Sequence, residues 1–237
     1  MAFKEPGLVL QCKGFLFDLD GTLIDSLPAV ERAWCQFADK MGISRDEVLN
    51  YIHGTPAILS LRHFMPDASE EEIASTFKWI EKIETEDTEG ITPLPGALAL
   101  IDKLNALDIP WAIVTSGTVP LASARHKVAG LPEPAHWVTA ESVKKGKPNP
   151  EPYLLGAKKL GLLPEECVVF EDATAGIHAG LDAGCQVVVV HDLPGIPRRE
   201  ETHLTVTNLE EIEIVKSGGY VSIYKMDQGT DTDQQSY

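Results

Sequence analysis

The sequence predicts an α/β fold: a parallel sheet flanked by helices, interrupted early by an all-helical insert. Three observations lead there. Five short apolar runs read as buried strands: Gly14–Asp18, Trp111–Thr115, Trp137–Ala140, Cys167–Phe170 and Val187–His191. Segments with helical period lie between most of them, and strands that are continuously apolar belong to parallel sheets covered on both faces. From about residue 26 to residue 90 the alternation stops, and only helix signals remain.

The elements follow in order. The N-terminal GLVLQCKGFLF is broken by Gln11, Lys13 and Gly14, so it does not read as a signal peptide. In the insert, Ser44 with Glu47 and Ser69 with Glu72 have capping-box spacing, and Thr55-Pro56 marks a further helix start. Ile73, Phe77, Ile80 and Ile83 make one apolar stripe, and Trp34 and Phe37 read as residues facing the insert's own core. Thr88–Gly96 reads as the return linker. Beyond it, Leu98, Ile101, Leu104 and Leu107 are spaced for one face of a helix that Pro110 ends. Asn149-Pro150 is a start signal and Gly161 a stop signal for another helix. IEIVKSGGYVSIY predicts a hairpin around Ser217-Gly218-Gly219, and DQGTDTDQQSY a frayed polar tail.

Composition narrows the function. The 237 residues are 43% hydrophobic, ordinary for a soluble globular protein, and no run approaches the ~20 apolar residues of a membrane helix. A cytoplasmic protein is expected. The formal net charge of −16 repels nucleic acid and anionic membranes, so neither is an expected partner. It also repels phosphates, so a phosphate-handling site needs its own local cations. Cys12, Cys35, Cys167 and Cys185 form no CxxC pair and are expected as buried free thiols. GxxxxGK[ST] and GxGxxG patterns are absent, as is HExxH.

Four short motifs carry chemistry. In FLFDLDGT, Asp18 and Asp20 follow a buried strand, and side chains two apart on an extended chain point the same way. Two carboxylates facing one site at the C-terminal rim of a sheet need a cation or a shared proton, and Mg2+, a hard oxygen-seeking ion, suits them. Gly21 permits a tight turn and Thr22 offers a hydroxyl. In AIVTSG, Thr115, Ser116 and Gly117 supply hydroxyl and backbone donors fit for a phosphate. In KKGKPNP, Lys147 sits between Gly146 and Pro148 as a fixed point charge, while Lys144 and Lys145 read as solvated background. In VVFEDATAG, Glu171 and Asp172 close a second buried strand and can complete a metal site with Asp18. Asp231 and Asp233 repeat the Asp-x-Asp spacing, but no apolar strand leads into them, so they carry no functional weight.

The order and spacing of DLDGT, VTSG, GKPNP and VFED resemble the four motifs of the haloacid dehalogenase-like superfamily, over nearly the whole chain. Within it the sequence looks closest to bacterial sugar and hexitol phosphatases, and more distantly like glycerol-1-phosphatases and 2-deoxyglucose-6-phosphatases. The resemblance implies a Rossmann-like core (1–25 and 91–226), a small helical cap (26–90) and a polar tail (227–237). It implies a magnesium-dependent phosphatase acting on small phosphorylated sugars or polyols. Asp18 would be the nucleophile and Asp20 the acid and base. Thr115, Ser116, Gly117 and Lys147 would hold the phosphoryl group. Mg2+ would be held by Asp18, the Asp20 carbonyl, Asp172 and Glu171. Asp20 itself argues for phosphoryl chemistry, since the superfamily's dehalogenases lack that partner.

The cap would contribute to substrate choice, with hinges near Ile24–Pro28 and Thr88–Pro95. Candidate specificity residues are His53, Gly54, Thr55 and Arg62. Relatives often carry a basic or polar residue shortly after that glycine, whereas this chain has Thr55-Pro56. Two rivals are a sugar phosphomutase on the same scaffold and a catalytically silent binding protein of the same fold. The expected assembly is a monomer or weak homo-oligomer.

Overall fold

A computed structural model describes residues 7–53, 55–191, 195–196 and 198–226. The expected frayed tail and Gly54 lie outside the described residues. In chain order the first elements are β1 (Gly7–Cys12), β2 (Gly14–Phe17), β3 (Ile24–Asp25), α1 (Leu27–Met41), α2 (Arg45–Ile52), α3 (Ala57–Phe64) and α4 (Glu70–Glu86). Then come β4 (Thr92–Pro93), α5 (Ala97–Ala106), β5 (Trp111–Val114), α6 (Val119–Ala129), β6 (His136–Val138) and α7 (Glu151–Leu160). The chain continues through β7 (Cys167–Glu171), α8 (Thr174–Asp182), β8 (Gln186–Val190), β9 (Leu204–Val206), β10 (Ile212–Ser217) and β11 (Tyr220–Lys225).

The core is a six-stranded sheet in the order β6-β5-β2-β7-β8-β9, parallel throughout. Every residue of β2, β5 and β7 is buried, which is why these strands read as unbroken apolar runs. This order decides where chemistry can sit. β2 lies between β5 and β7, so the loops leaving all three open side by side at one rim.

Residues 26–90 are all-helical among those described, and α1–α4 share a separate apolar cluster that includes Trp34, Phe37, Val48, Leu61, Ile73 and Ile80. Ser69 and Glu72 form a reciprocal capping box at α4. Ser44 starts α2 but makes no side-chain cap bond, so the expected box there is absent. β3 and β4 pair antiparallel, Ile24 opposite Pro93 and Asp25 opposite Thr92. The two chain crossings into the insert are thus laced together where hinges were expected. Arg32 adds a fork to Asp87 and a bond to the Glu89 carbonyl.

Several boundaries differ from the sequence reading. The buried face of α5 is Ala97, Leu100, Ile101 and Leu104, while Leu98 points outward at 38% exposure. The third strand is His136–Val138, two residues short of Ala140 at its end, because Ala140 begins a 3-10 turn. The fifth expected strand, β8, ends at Val190, and His191 takes a left-handed φ of 67°. The predicted hairpin forms, with Ser217 opposite Tyr220. It recruits β1, which periodicity did not mark, into a separate sheet of order β1-β11-β10. All four cysteines are free, but Cys35 is only half-buried. No described helix is long and apolar enough to cross a membrane.

Candidate active site

The site is built on the ends of the three central strands. β2 ends at Phe17, and Asp18 follows with its backbone N–H donated to the Phe170 carbonyl at 3.0 Å. Its side chain is buried at the rim. The chain then turns through Gly21 at φ 82°, with the Gly21 N–H bonded to the Ile24 carbonyl. A Cβ on Gly21 would lie 2.2 Å from Asp172 Oδ2, so this turn admits glycine for space as well as backbone angle.

Lys147 arrives from the loop before α7 and is 5% exposed. Its ammonium donates to Asp18 Oδ1 at 2.5 Å, to Glu171 Oε1 at 2.6 Å and to the Val114 carbonyl at 2.8 Å. All three hydrogens of the ammonium are thereby directed by the ends of β2, β5 and β7. Glu171 is also satisfied on both oxygens. Oε1 accepts from Tyr153 at 2.7 Å, and Oε2 accepts from the backbone N–H groups of Asp172 and Ala173 at 3.1 and 3.2 Å. Asp172 Oδ1 accepts from Thr22 at 3.2 Å.

Burial dominates the electrostatics. It raises Asp18 well above the usual carboxylate range; Lys147 opposes this, and Glu171, Asp172 and Asp20 add to it. Burial and then the Glu171 charge raise Asp172. Burial works to lower the Lys147 ammonium, but Asp18 and Glu171 outweigh it and the net direction is up. The ammonium stays charged.

Oxygens of Asp18, Glu171 and Asp172 lie within 4.8 Å of one another. Three clustered carboxylates face one ammonium, and their mutual repulsion adds to the burial that already pushes Asp18 and Asp172 up. An oxygen-only donor set with uncompensated charge fits a hard divalent cation such as Mg2+. Glu171, with both oxygens already taken by protein donors, is the least free of the three to serve as a direct ligand.

Thr115 is buried, and its Oγ1 accepts the Gly117 N–H at 2.9 Å. Asp18, Asp20, Thr115, Ser116, Gly117, Lys147 and Glu171 all line one cleft of about 400 Å³. A second cavity, about 230 Å³, runs from it between the core and the insert and shares Asp20, Thr55, Ser116 and Gly117 with it. Its remaining wall includes Trp34, Phe77 and Ile80 from the insert, with Glu81, Glu84 and Arg125. His53 and Arg62 are brought to neither. His53, just past the end of α2, is 3.2 Å from Glu31, Arg62 is 2.9 Å from Glu70, and both side chains are exposed.

Sequence reading missed four contributors. Tyr153 and Gly176 support Glu171; a Cβ on Gly176 would lie 1.6 Å from Glu171 Oε1. Arg125 of the core donates both to Asp20 and to Glu84 of the insert. Gly176 closes the VVFEDATAG stretch but carries no chemistry of its own there, and Tyr153, Arg125 and Glu84 are each one residue in an ordinary helix that only the tertiary fold brings to the rim. Trp34, by contrast, serves both the insert's core and the cavity wall.

Comparison with known proteins agrees with this geometry. The family model described as haloacid dehalogenase-like hydrolase matches residues 12–184. The chain is 59% identical over 207 residues to hexitol phosphatase A of Escherichia coli, covering 87% of this chain and 96% of that one. It is 37% identical to glycerol-1-phosphate phosphohydrolase 2 of Saccharomyces cerevisiae, covering 93% of this chain and 90% of that one. A hydrolase from Pseudomonas syringae superposes with a TM-score of 0.73 at 27% identity, covering 84% of this chain and 94% of that one. With the four motifs gathered at one sheet rim, the chain belongs to the haloacid dehalogenase-like hydrolase family, and it is a phosphatase of that family.

Proposed function

We propose that the protein is a magnesium-dependent phosphatase that hydrolyses monophosphates of small sugars or polyols. The observation that carries this reading is Lys147, bound at once to Asp18 and Glu171 at the mouth of a cleft whose neighbouring cavity is reached past Asp20. In this reading Asp18 Oδ attacks phosphorus, and the bond from phosphorus to the ester oxygen breaks. Asp20 gives its proton to that departing oxygen. Asp20 then takes a proton from water, the water oxygen attacks phosphorus, and the Asp18 carboxylate is released with inorganic phosphate. Lys147 and the donors of Thr115, Ser116 and Gly117 hold the phosphoryl oxygens throughout. Mg2+, held by Asp18, Asp172 and the Asp20 carbonyl with Glu171 behind them, would neutralise phosphoryl charge. Local cations let a chain of net charge −16 accept an anionic substrate.

The second cavity favours hydrolysis over phosphomutase chemistry. A mutase that works through an aspartyl-phosphate holds a sugar bearing two phosphates. Arg125 is the one cation among the described residues lining that cavity, and both its terminal nitrogens are engaged by carboxylates. Glu81 and Glu84 on the same wall accept from hydroxyls and repel phosphate. A neutral polyhydroxylated leaving group suits it. The names of the hexitol and glycerol-1-phosphate relatives point the same way.

The test is turnover of hexose, hexitol, pentose and triol phosphates with Mg2+ and with a chelator, measuring free phosphate and isomerised sugar phosphate separately. Magnesium-dependent phosphate release is expected, and Asp18→Asn should abolish it in a folded protein. Unchanged activity in that variant refutes the nucleophile. Isomerised product in place of free phosphate establishes the mutase, and no turnover of any ester by the parent revives the silent binding protein.

A further inference from the structure

We propose that Arg125 is a positioning residue that holds the Asp20 carboxylate in place, and that Glu84 of the insert makes this hold depend on the insert being docked against the core. The inference rests on the phosphatase reading above and adds a residue that none of the four motifs contains. Arg125 lies on α6 of the core. Its Nη1 donates to Asp20 Oδ1 at 2.8 Å and its Nη2 to Glu84 Oε2 at 2.9 Å. The Arg125 side chain is 5% exposed, Glu84 10% and Asp20 27%. One planar guanidinium therefore spans from the proposed acid to the neighbouring domain, and its fork fixes the two carboxylates relative to each other.

Placement gives the pair its conditional character. Asp20 lies four residues before β3, the strand that pairs with β4 where the chain crosses into the insert and back. Glu84 sits in the last turns of α4, close to the return crossing. Any hinge motion of the insert about β3 and β4 carries Glu84 away from Arg125 while Asp20 and Arg125 remain on core elements. The bond from Arg125 to Glu84 exists only with α4 against α6. When it breaks, a buried guanidinium loses one of two carboxylates and its remaining fork is free to turn. The network also lines the cavity beside Asp20, so its geometry is set where a leaving group would lie. Arg125 Nε is also buried without a partner among the described residues, which a closed structural network would not leave.

Leaving-group dependence separates positioning of a proton donor from general damage. An alkyl phosphate such as a hexitol monophosphate needs its departing oxygen protonated. p-Nitrophenyl phosphate does not, and kcat/KM reports the steps through ester cleavage for both. For Arg125→Met, kcat/KM on the hexitol phosphate should fall ~100-fold, near the lower bound for a mispositioned acid, with p-nitrophenyl phosphate changed by less than about threefold. Arg125→Lys should recover roughly a third to a tenth of the parent value, since a compact ammonium keeps the charge but cannot span both carboxylates as the planar fork does. Glu84→Gln, which touches no proposed catalytic group, should lower the same ratio in the same direction by about three- to tenfold.

Equal losses on both esters, or no loss on either, would overturn the proposal. Should Arg125→Met fail to fold, the Lys and Gln variants read the same ratio. A parent enzyme inactive on both esters is a different outcome: it overturns the phosphatase reading, and this inference falls with it.

Discussion

Tyr153 donates its hydroxyl to Glu171 Oε1 at 2.7 Å, and neither residue is more than 1% exposed. Tyr153 stands on α7 and Glu171 ends β7, so this bond ties a covering helix to the rim of the sheet that carries the proposed active site. Burial and then the Glu171 charge push the phenol well above its ordinary value, keeping it a donor. Tyr153→Phe leaves Glu171 with Lys147 and two backbone donors. It should destabilise the protein by about 1–3 kcal/mol in urea unfolding, the cost of a weakened buried carboxylate. A modest loss of turnover should accompany it, because the same oxygen orients Lys147. A variant as stable as the parent would show that the bond contributes nothing net.

Gly21 is the sharpest steric probe of the proposed metal seat. An added methyl would meet Asp172 Oδ2 at 2.2 Å and also force a residue with a side chain into φ 82°. Gly21→Ala should therefore displace Asp172 from Thr22 and from the Asp18 cluster. Magnesium titration of activity should show at least a tenfold higher half-saturating concentration, the scale typical when a group that orients a ligand is lost. Tight magnesium use by a folded Gly21→Ala protein would mean that Asp172 does not hold the ion.

The sheet was legible because β2, β5 and β7 are buried on both faces and show it as unbroken apolar runs. The motifs that follow them were legible for the same reason: strand ends are where carboxylates such as Asp18 and Asp172 stand out against an apolar background. β1 and β9 were not. β1 carries Gln11 in a six-residue edge strand, and its partner β11 lies near the other end of the chain, so no local pattern marks the pairing. Ser69 and Glu72 formed their box while Ser44 and Glu47 did not, since capping spacing permits the bonds without enforcing them. Arg125 was invisible because a single arginine in a helix reads as solvated; its partners Asp20 and Glu84 are both remote in sequence.

Glu211 gives a pH dependence remote from the proposed active site. It is 5% exposed and caps the turn before β10, accepting from the Thr207 N–H at 2.9 Å, with Lys225 at 3.2 Å. Burial works to raise this carboxylate, but the Thr207 bond and Lys225 outweigh it and hold it below 4.5. A lowered carboxylate adds stability above its unfolded value, and that stability drains away as pH falls through the folded one. Glu211→Gln should cost about 1–2 kcal/mol at pH 7 by urea unfolding, the worth of hydrogen bonds to a charged group. The gap between variant and parent should narrow as pH drops below 4.5. A gap that is constant with pH would assign the loss to packing.

Thiol chemistry tests the packing of the sheet independently of any substrate. Cys12, Cys167 and Cys185 are buried, and burial pushes each thiol up to about 12. At pH 8 their thiolate fraction is on the order of 10⁻⁴, and the thiolate is the form that reacts. Cys35, on the insert's first helix, is half-buried. Brief iodoacetamide treatment of the native protein at pH 8 should therefore modify Cys35 alone, and the same treatment in denaturant should reach the buried three as well. Peptide mass spectrometry reads the sites directly, and Cys35→Ser should remove native labelling. Rapid native modification of Cys167, at the start of β7, would mean that the central strands open far more often than a sheet covered on both faces allows.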